Sequence, residues 1–250
     1  TVTAHLGANT KESQREISVQ AANNAIESAR GISYPNALNL PIDESKIPQF
    51  VKPYIELTQK MAFLLAQLSK SEIRSINITA EGEISEYIDS LQTFSTVGVL
   101  AVSCGDEVNY VNANFIAKEK GIELTTSEIS NHSGYQNKVS INITTPSGIK
   151  TISGTVFNED VQRIVEINGF PLDIEPKGKM IIMRNHDVPG VIGEVGKILG
   201  NNNINIADFR LSRGKDGALA VILIDEKASS DVLKKLDSLE AAIAVAYAEI

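Results

Sequence analysis

The sequence predicts an α+β protein: a mixed α/β domain, followed by a smaller unit with the ferredoxin-like order βαββαβ. Three observations carry that reading. Apolar residues recur at helical spacing from Pro48 to Lys70, and they alternate as in strands from Lys138 to Ile167. From Lys179 to Ile250, strand and helix patterns then follow one another without a break. A chain of 250 residues is long enough for two modest domains, each with its own core.

Residues 1–34 read as the end of a strand followed by a helix. Thr10 is a suitable N-cap, Glu12 sits in the first turn where the helix dipole favours it, and Gly31 closes the far end. Ile17, Ala21, Ala25 and Ala29 form a small apolar stripe suited to close packing. The chain opens on Thr and on what reads as a strand end, so a piece of a longer protein is expected.

Residues 35–177 form the second predicted domain, entered through the proline-punctuated stretch Tyr34-Pro35 to Ile47-Pro48. A long helix follows, with Phe50, Val51, Tyr54, Ile55, Met61, Ala62, Leu65 and Leu68 at helical spacing. Strands are expected at Arg74–Glu81, Lys138–Thr145, Ile149–Val156 and Val161–Ile167, with helical stretches near Tyr87–Val102 and Asn112–Gly121. Pro146-Ser-Gly148 and Asn158-Glu-Asp160 read as hairpin turns.

Residues 178–250 form the third. Strand Met180–Met183, helix Pro189–Leu199, strand Ile204–Ser212, strand Ala218–Ile224, helix Ser230–Leu239 and strand Ile243–Glu249 give the βαββαβ order.

Composition narrows the function. The apolar fraction of 42% and charged fraction of 22% are ordinary for a globular protein. A net charge of −8 gives no electrostatic reason to expect nucleic acid or an anionic membrane as partner. No apolar run is long enough to span a bilayer and no signal-peptide pattern opens the chain, so a cytoplasmic protein is expected. The single cysteine, Cys104, reads as a buried structural thiol, and no metal-ligand spacing links the three histidines.

The turn after Met183 draws the eye to ligand binding. Asn185 and Asp187, then Pro189, Gly190 and Val191, put a carboxylate, an amide and backbone N–H groups where a strand runs into a helix. Such a site suits a small zwitterion, with Asp187 for an ammonium and N–H donors for a carboxylate. Asp187 also reads as a plain helix cap, and Asn205 as a strand-opening polar residue. The ligand reading is favoured because adjacent parallel strands are expected to bring these residues to one end of the sheet. Gly190, Gly193 and Gly196 have the spacing G-x-x-G-x-x-G rather than the dinucleotide fingerprint G-x-G-x-x-G, and read as glycines that let a helix sit close on a sheet. His132, beside Lys138, reads either as part of an anion site or as a residue of an exposed polar loop. His186 reads as an exposed neighbour of the turn.

Three separated segments resemble one family. His5-Leu-Gly-Ala-Asn-Thr-Lys-Glu-Ser-Gln14 is similar to the catalytic-histidine segment of D-3-phosphoglycerate dehydrogenase. Ser153-Gly-Thr-Val156 and Ile164-Val-Glu-Ile-Asn-Gly169 look like the intervening domain of its long form, and the last part resembles its ACT domain. The resemblance implies a parent enzyme that oxidises 3-phosphoglycerate with NAD at the entry to serine synthesis, under inhibition by L-serine. His5 would be its acid–base group. The partner glutamate, the substrate-binding arginine and the cofactor loop would lie upstream, so this chain alone is expected to be inactive. The resemblance further implies an effector site shared between two ACT domains of a homo-oligomer. Asn185, Asp187 and the Pro189-Gly190-Val191 backbone would come from one copy and Asn205 from the other. Some members bind an anion in the intervening domain; His132, Lys138 and Lys177 are the candidates here, without the arginine-rich pattern of that site. Two other readings stand beside this one: a stand-alone regulatory subunit such as that of an iron–sulfur L-serine dehydratase, and an ACT dimerisation module without ligand.

Overall fold

The computed structural model describes residues 8–29, 47–69, 71–129 and 134–250. The chain falls into two compact units, Thr1–Leu40 and Pro41–Ile250. In the first, helix α1 (Lys11–Ala29) starts where the capping pattern predicts: Thr10 Oγ1 accepts the Ser13 N–H at 3.1 Å. Ile17 and Ile26 on this helix are about half exposed. The predicted close at Gly31 lies outside the described residues.

The second unit begins with α2 (Val51–Gln67) and β1 (Ser75–Glu81), then a 3₁₀ turn and α3 (Ile88–Cys104). Next come α4 (Ala113–Glu119) and strands β2 (Glu123–Ile129), β3 (Lys138–Thr145), β4 (Gly148–Phe157), β5 (Val161–Ile167) and β6 (Phe170–Ile174). The six strands form one sheet in the order β2-β1-β3-β4-β5-β6, antiparallel except for the β1–β2 pair. Ile76, Ile78, Ile141, Ile143 and Ile152 are buried in one core with Leu57, Met61, Leu64 and Leu65 of α2. Alternate residues carry a polar lattice on the other face, where Asn77 Nδ2 donates to Thr125 Oγ1 at 2.9 Å and Asn142 Nδ2 to Asn77 Oδ1 at 3.2 Å. Gly98 lets α3 lie against α2, since a Cβ there would stand 2.4 Å from the Gln59 carbonyl oxygen.

The chain then forms β7 (Lys179–Asn185), α5 (Val191–Asn201), β8 (Ile206–Gly214), β9 (Gly217–Ile224), α6 (Ser230–Asp237) and β10 (Ala242–Glu249). This is the predicted βαββαβ order, with a four-stranded sheet ordered β10-β7-β9-β8. Strand alternation splits β7 between two cores. Ile181 and Met183 pack with Val195, Leu199 and Leu236 of the helices. Met180 and Ile182 join the large core of the preceding sheet, along with Leu219, Val221 and Ala248. Gln67 closes the far side: its side-chain amide donates to the Glu249 carbonyl (3.0 Å) and accepts from the Glu249 N–H (3.1 Å), standing in for a ladder partner at the free edge of β10.

The structure corrects four readings of the sequence. Strands β2 and β6 were not anticipated. β8 is not adjacent to β7, because β9 lies between them. Gly193 and Gly196 do not serve close packing: a Cβ on either would meet nothing within 4 Å. Cys104 is only partly buried, at the end of α3.

Candidate functional site

β7 ends at Asn185, and the His186 N–H binds the Ala241 carbonyl oxygen at 2.8 Å, which fixes the turn that follows. Gly190 takes up the left-handed conformation (φ 95°) and is the N-cap of α5, with no side chain capping that end. Asp187 is therefore not a helix cap. Its Oδ2 accepts from Nε of Arg213 at 2.7 Å, and this contact raises the Arg213 pKa further, keeping the guanidinium cationic.

A cavity of about 340 Å³ opens between this turn, the start of α5 and the faces of β8 and β9. Asn185, Asp187, Pro189, Gly190 and Val191 all line it. Met183, Val195, Phe209 and Ala220 supply an apolar floor and Arg213 a charged rim. Asn185 is 2% exposed; its Nδ2 donates to the His186 carbonyl at 2.7 Å, while its Oδ1 has no hydrogen-bond partner. An acceptor buried without a donor costs about 1–3 kcal/mol, a local cost that the fold bears beside the cavity.

Asn205 does not line the cavity. It precedes β8 at the opposite end of the sheet, where its Nδ2 donates to Asp225 Oδ2 at 2.6 Å and its N–H to Glu226 Oε2 at 2.7 Å. The ladders explain the separation: Ile206 is opposite Ile224, whereas Asn185 is opposite Ala218 at the other end of β9. Eight strand residues span about 25 Å, far beyond side-chain reach within one chain. The expectation that one chain brings the two asparagines together is thus corrected.

Of the remaining candidates, His5 and His132 lie outside the described residues. Lys138 pairs with the nearly buried Glu81 at 3.1 Å. Lys177 pairs with Glu175, whose carboxyl is held below its ordinary range by Lys177 first and Arg163 second. The two lysines thus answer different carboxylates. Sequence reasoning missed Arg213, Phe209 and Leu211, although their alternate spacing marks one face of β8. Among the described residues, no three His, Cys, Asp or Glu side chains are grouped to hold a metal ion, and no helix is long and apolar enough to cross a membrane.

Comparison with known proteins agrees with this architecture. Residues 50–168 match the D-3-phosphoglycerate dehydrogenase intervening domain, and residues 179–241 match the ACT domain. The chain carries the intervening and ACT domains of the D-3-phosphoglycerate dehydrogenase family. It is 34% identical over 246 residues to D-3-phosphoglycerate dehydrogenase of Bacillus subtilis, covering 97% of this chain and 47% of that protein. The Archaeoglobus fulgidus enzyme is 29% identical, covering 99% of this chain and 48% of its own length, and the Synechocystis enzyme is 28% identical, covering 94% and 43%. The chain therefore spans less than half the length of these relatives. The cavity lies wholly within its ACT domain.

Proposed function

We propose that this chain is the regulatory part of an NAD-dependent 3-phosphoglycerate dehydrogenase of L-serine biosynthesis, a cytoplasmic homo-oligomer that L-serine inhibits by binding at an ACT–ACT interface. The observation that carries the reading is the cleft at the β7–α5 turn, where Asp187 and Arg213 stand beside the apolar residues Met183, Val195, Phe209 and Ala220. A ligand's ammonium can donate to the Asp187 carboxylate there. The relatives' names support the parent activity. By resemblance, His5 would be the acid–base residue there and NAD would belong to the upstream half, so this chain alone binds without catalysing.

The two-chain site is supported by the topology. β8 is an edge strand and mostly exposed, open to antiparallel pairing with a second copy. A pairing centred near Phe209 sets Asn205 of one copy beside Arg213 of the other, and so beside the Asp187 that Arg213 touches. A ligand held across that joint favours the joined state, which is how occupancy becomes regulation.

Calorimetric titration of the chain with L-serine, with glycine and D-serine as controls, tests the reading. Saturable binding of L-serine that Asp187→Ala weakens about tenfold or more supports it. No binding at millimolar L-serine returns the ACT domain to a dimerisation role and turns attention to anions around Lys138 and Lys177.

A further inference from the structure

Arg213 uses one of its five N–H donors on Asp187 and makes no other hydrogen bond among the described residues. The Nη1 and Nη2 groups, which can take a carboxylate in two parallel bonds, are therefore unspent on a side chain that lines the cavity. Asp187 likewise spends Oδ2 on Arg213, and its Oδ1 makes no hydrogen bond among the described residues. The Asn185 side chain lines the same cavity, with its donor-less Oδ1 buried behind the surface. A positive fork and a negative oxygen thus stand unspent beside one small space. The pair adds little to the fold, because Arg213 is 72% exposed and ion pairs that open to solvent are weak.

We propose that the Asp187–Arg213 pair is a preformed receptor for the head group of an α-amino acid. The unspent donors of Arg213 take the carboxylate, while Oδ1 of Asp187 takes the ammonium. The proposal rests on the reading of the cleft as the effector site and adds to it a specificity-determining residue. Binding leaves the ion pair intact, so no internal contact has to break to admit the ligand, and little reorganisation opposes it. A ligand with an ammonium but no carboxylate meets only half of the receptor.

The test compares L-serine with L-serinamide, which keeps the ammonium and hydroxyl but has a neutral amide in place of the carboxylate. Calorimetry is run on the unaltered chain and on Arg213→Gln and Arg213→Lys. The unaltered chain is expected to favour L-serine by about ten- to a hundredfold, the range of charge-assisted hydrogen bonds. Arg213→Gln should erase that preference by weakening L-serine alone, and Arg213→Lys, a point charge without the fork, should restore it in part. L-serine binding that is equally strong in Arg213→Gln, or a loss shared equally by both ligands, overturns the role of Arg213 and leaves the effector site standing. Absence of L-serine binding by the unaltered chain overturns both.

Discussion

If the effector site is shared, two damaged chains should repair each other. Asp187→Ala removes the carboxylate from one half of the site and Asn205→Ala the amide from the other. About 25 Å of strand separates the two positions in one chain, so each variant is defective in both sites of its own dimer. Losing a hydrogen bond to a charged group costs about 1.5–3 kcal/mol, which weakens L-serine by roughly ten- to 150-fold for Asp187→Ala. Asp187→Ala should not unfold the chain, since the Asp187–Arg213 pair opens to solvent and adds little to the fold. In an equimolar mixture with free exchange, half of the two-fold dimers are mixed, and each mixed dimer has one intact and one doubly damaged site. Calorimetry of the mixture should therefore recover about one quarter of the sites of the unaltered protein at unaltered affinity. A mixture that recovers nothing after exchange is verified by sedimentation refutes the shared site. So does Asn205→Ala binding as the unaltered chain does.

Further expectations concern the scaffold. Gly98→Ala puts a methyl 2.4 Å from a backbone oxygen of α2, so the overpacking cost of about 1–3 kcal/mol should exceed the ~1 kcal/mol gained in helix propensity and lower the thermal midpoint. Gly196→Ala, with open space around it, should raise the midpoint instead, and equal signs for the two glycines would contradict the packing described. Tyr54→Phe removes a hydroxyl that donates to the Asn137 carbonyl and accepts the Val156 N–H, each at 3.1 Å; chemical denaturation should show a loss of about 1–3 kcal/mol. The Tyr247 hydroxyl is pushed up to about 12 by burial and by its bond to Glu249. The folded state thus holds this proton where the unfolded chain releases it, so stability should fall as pH rises from about 10 to 12. Ultraviolet titration of the phenolate should show a late component that moves down in Glu249→Gln.

Much of the ACT domain is legible in the sequence, because each of its elements carries its own period and boundary. What escaped is set by neighbours rather than by local pattern. β2, Glu-Leu-Thr-Thr-Ser-Glu-Ile, is exposed nearly throughout and shows no apolar alternation; its strand character comes from the parallel ladder with β1. β6 holds Pro171 and Asp173, both poor strand residues, and is recruited by β5 at the sheet edge. The turn that lines the cavity was legible up to Val191, since those residues are consecutive. Asn205 was misplaced because the order of strands in a sheet is not written in any one of them. Arg213 was missed for the same reason: 26 residues separate it from Asp187, and the folding of β8 over the cavity joins them.

Strand β7 is a party wall. Its odd-numbered side chains Ile181 and Met183 belong to the helices beside the cleft, and its even-numbered ones, Met180 and Ile182, to the sheet that precedes it. A domain hung on a flexible tether can be trimmed away or swung aside. One that shares a wall cannot: cutting the chain at Gly178 would bare Met180, Ile182, Leu219, Val221 and Ala248 to water. Whatever tightens around Asn185, the last residue of that strand, leans on two rooms at once.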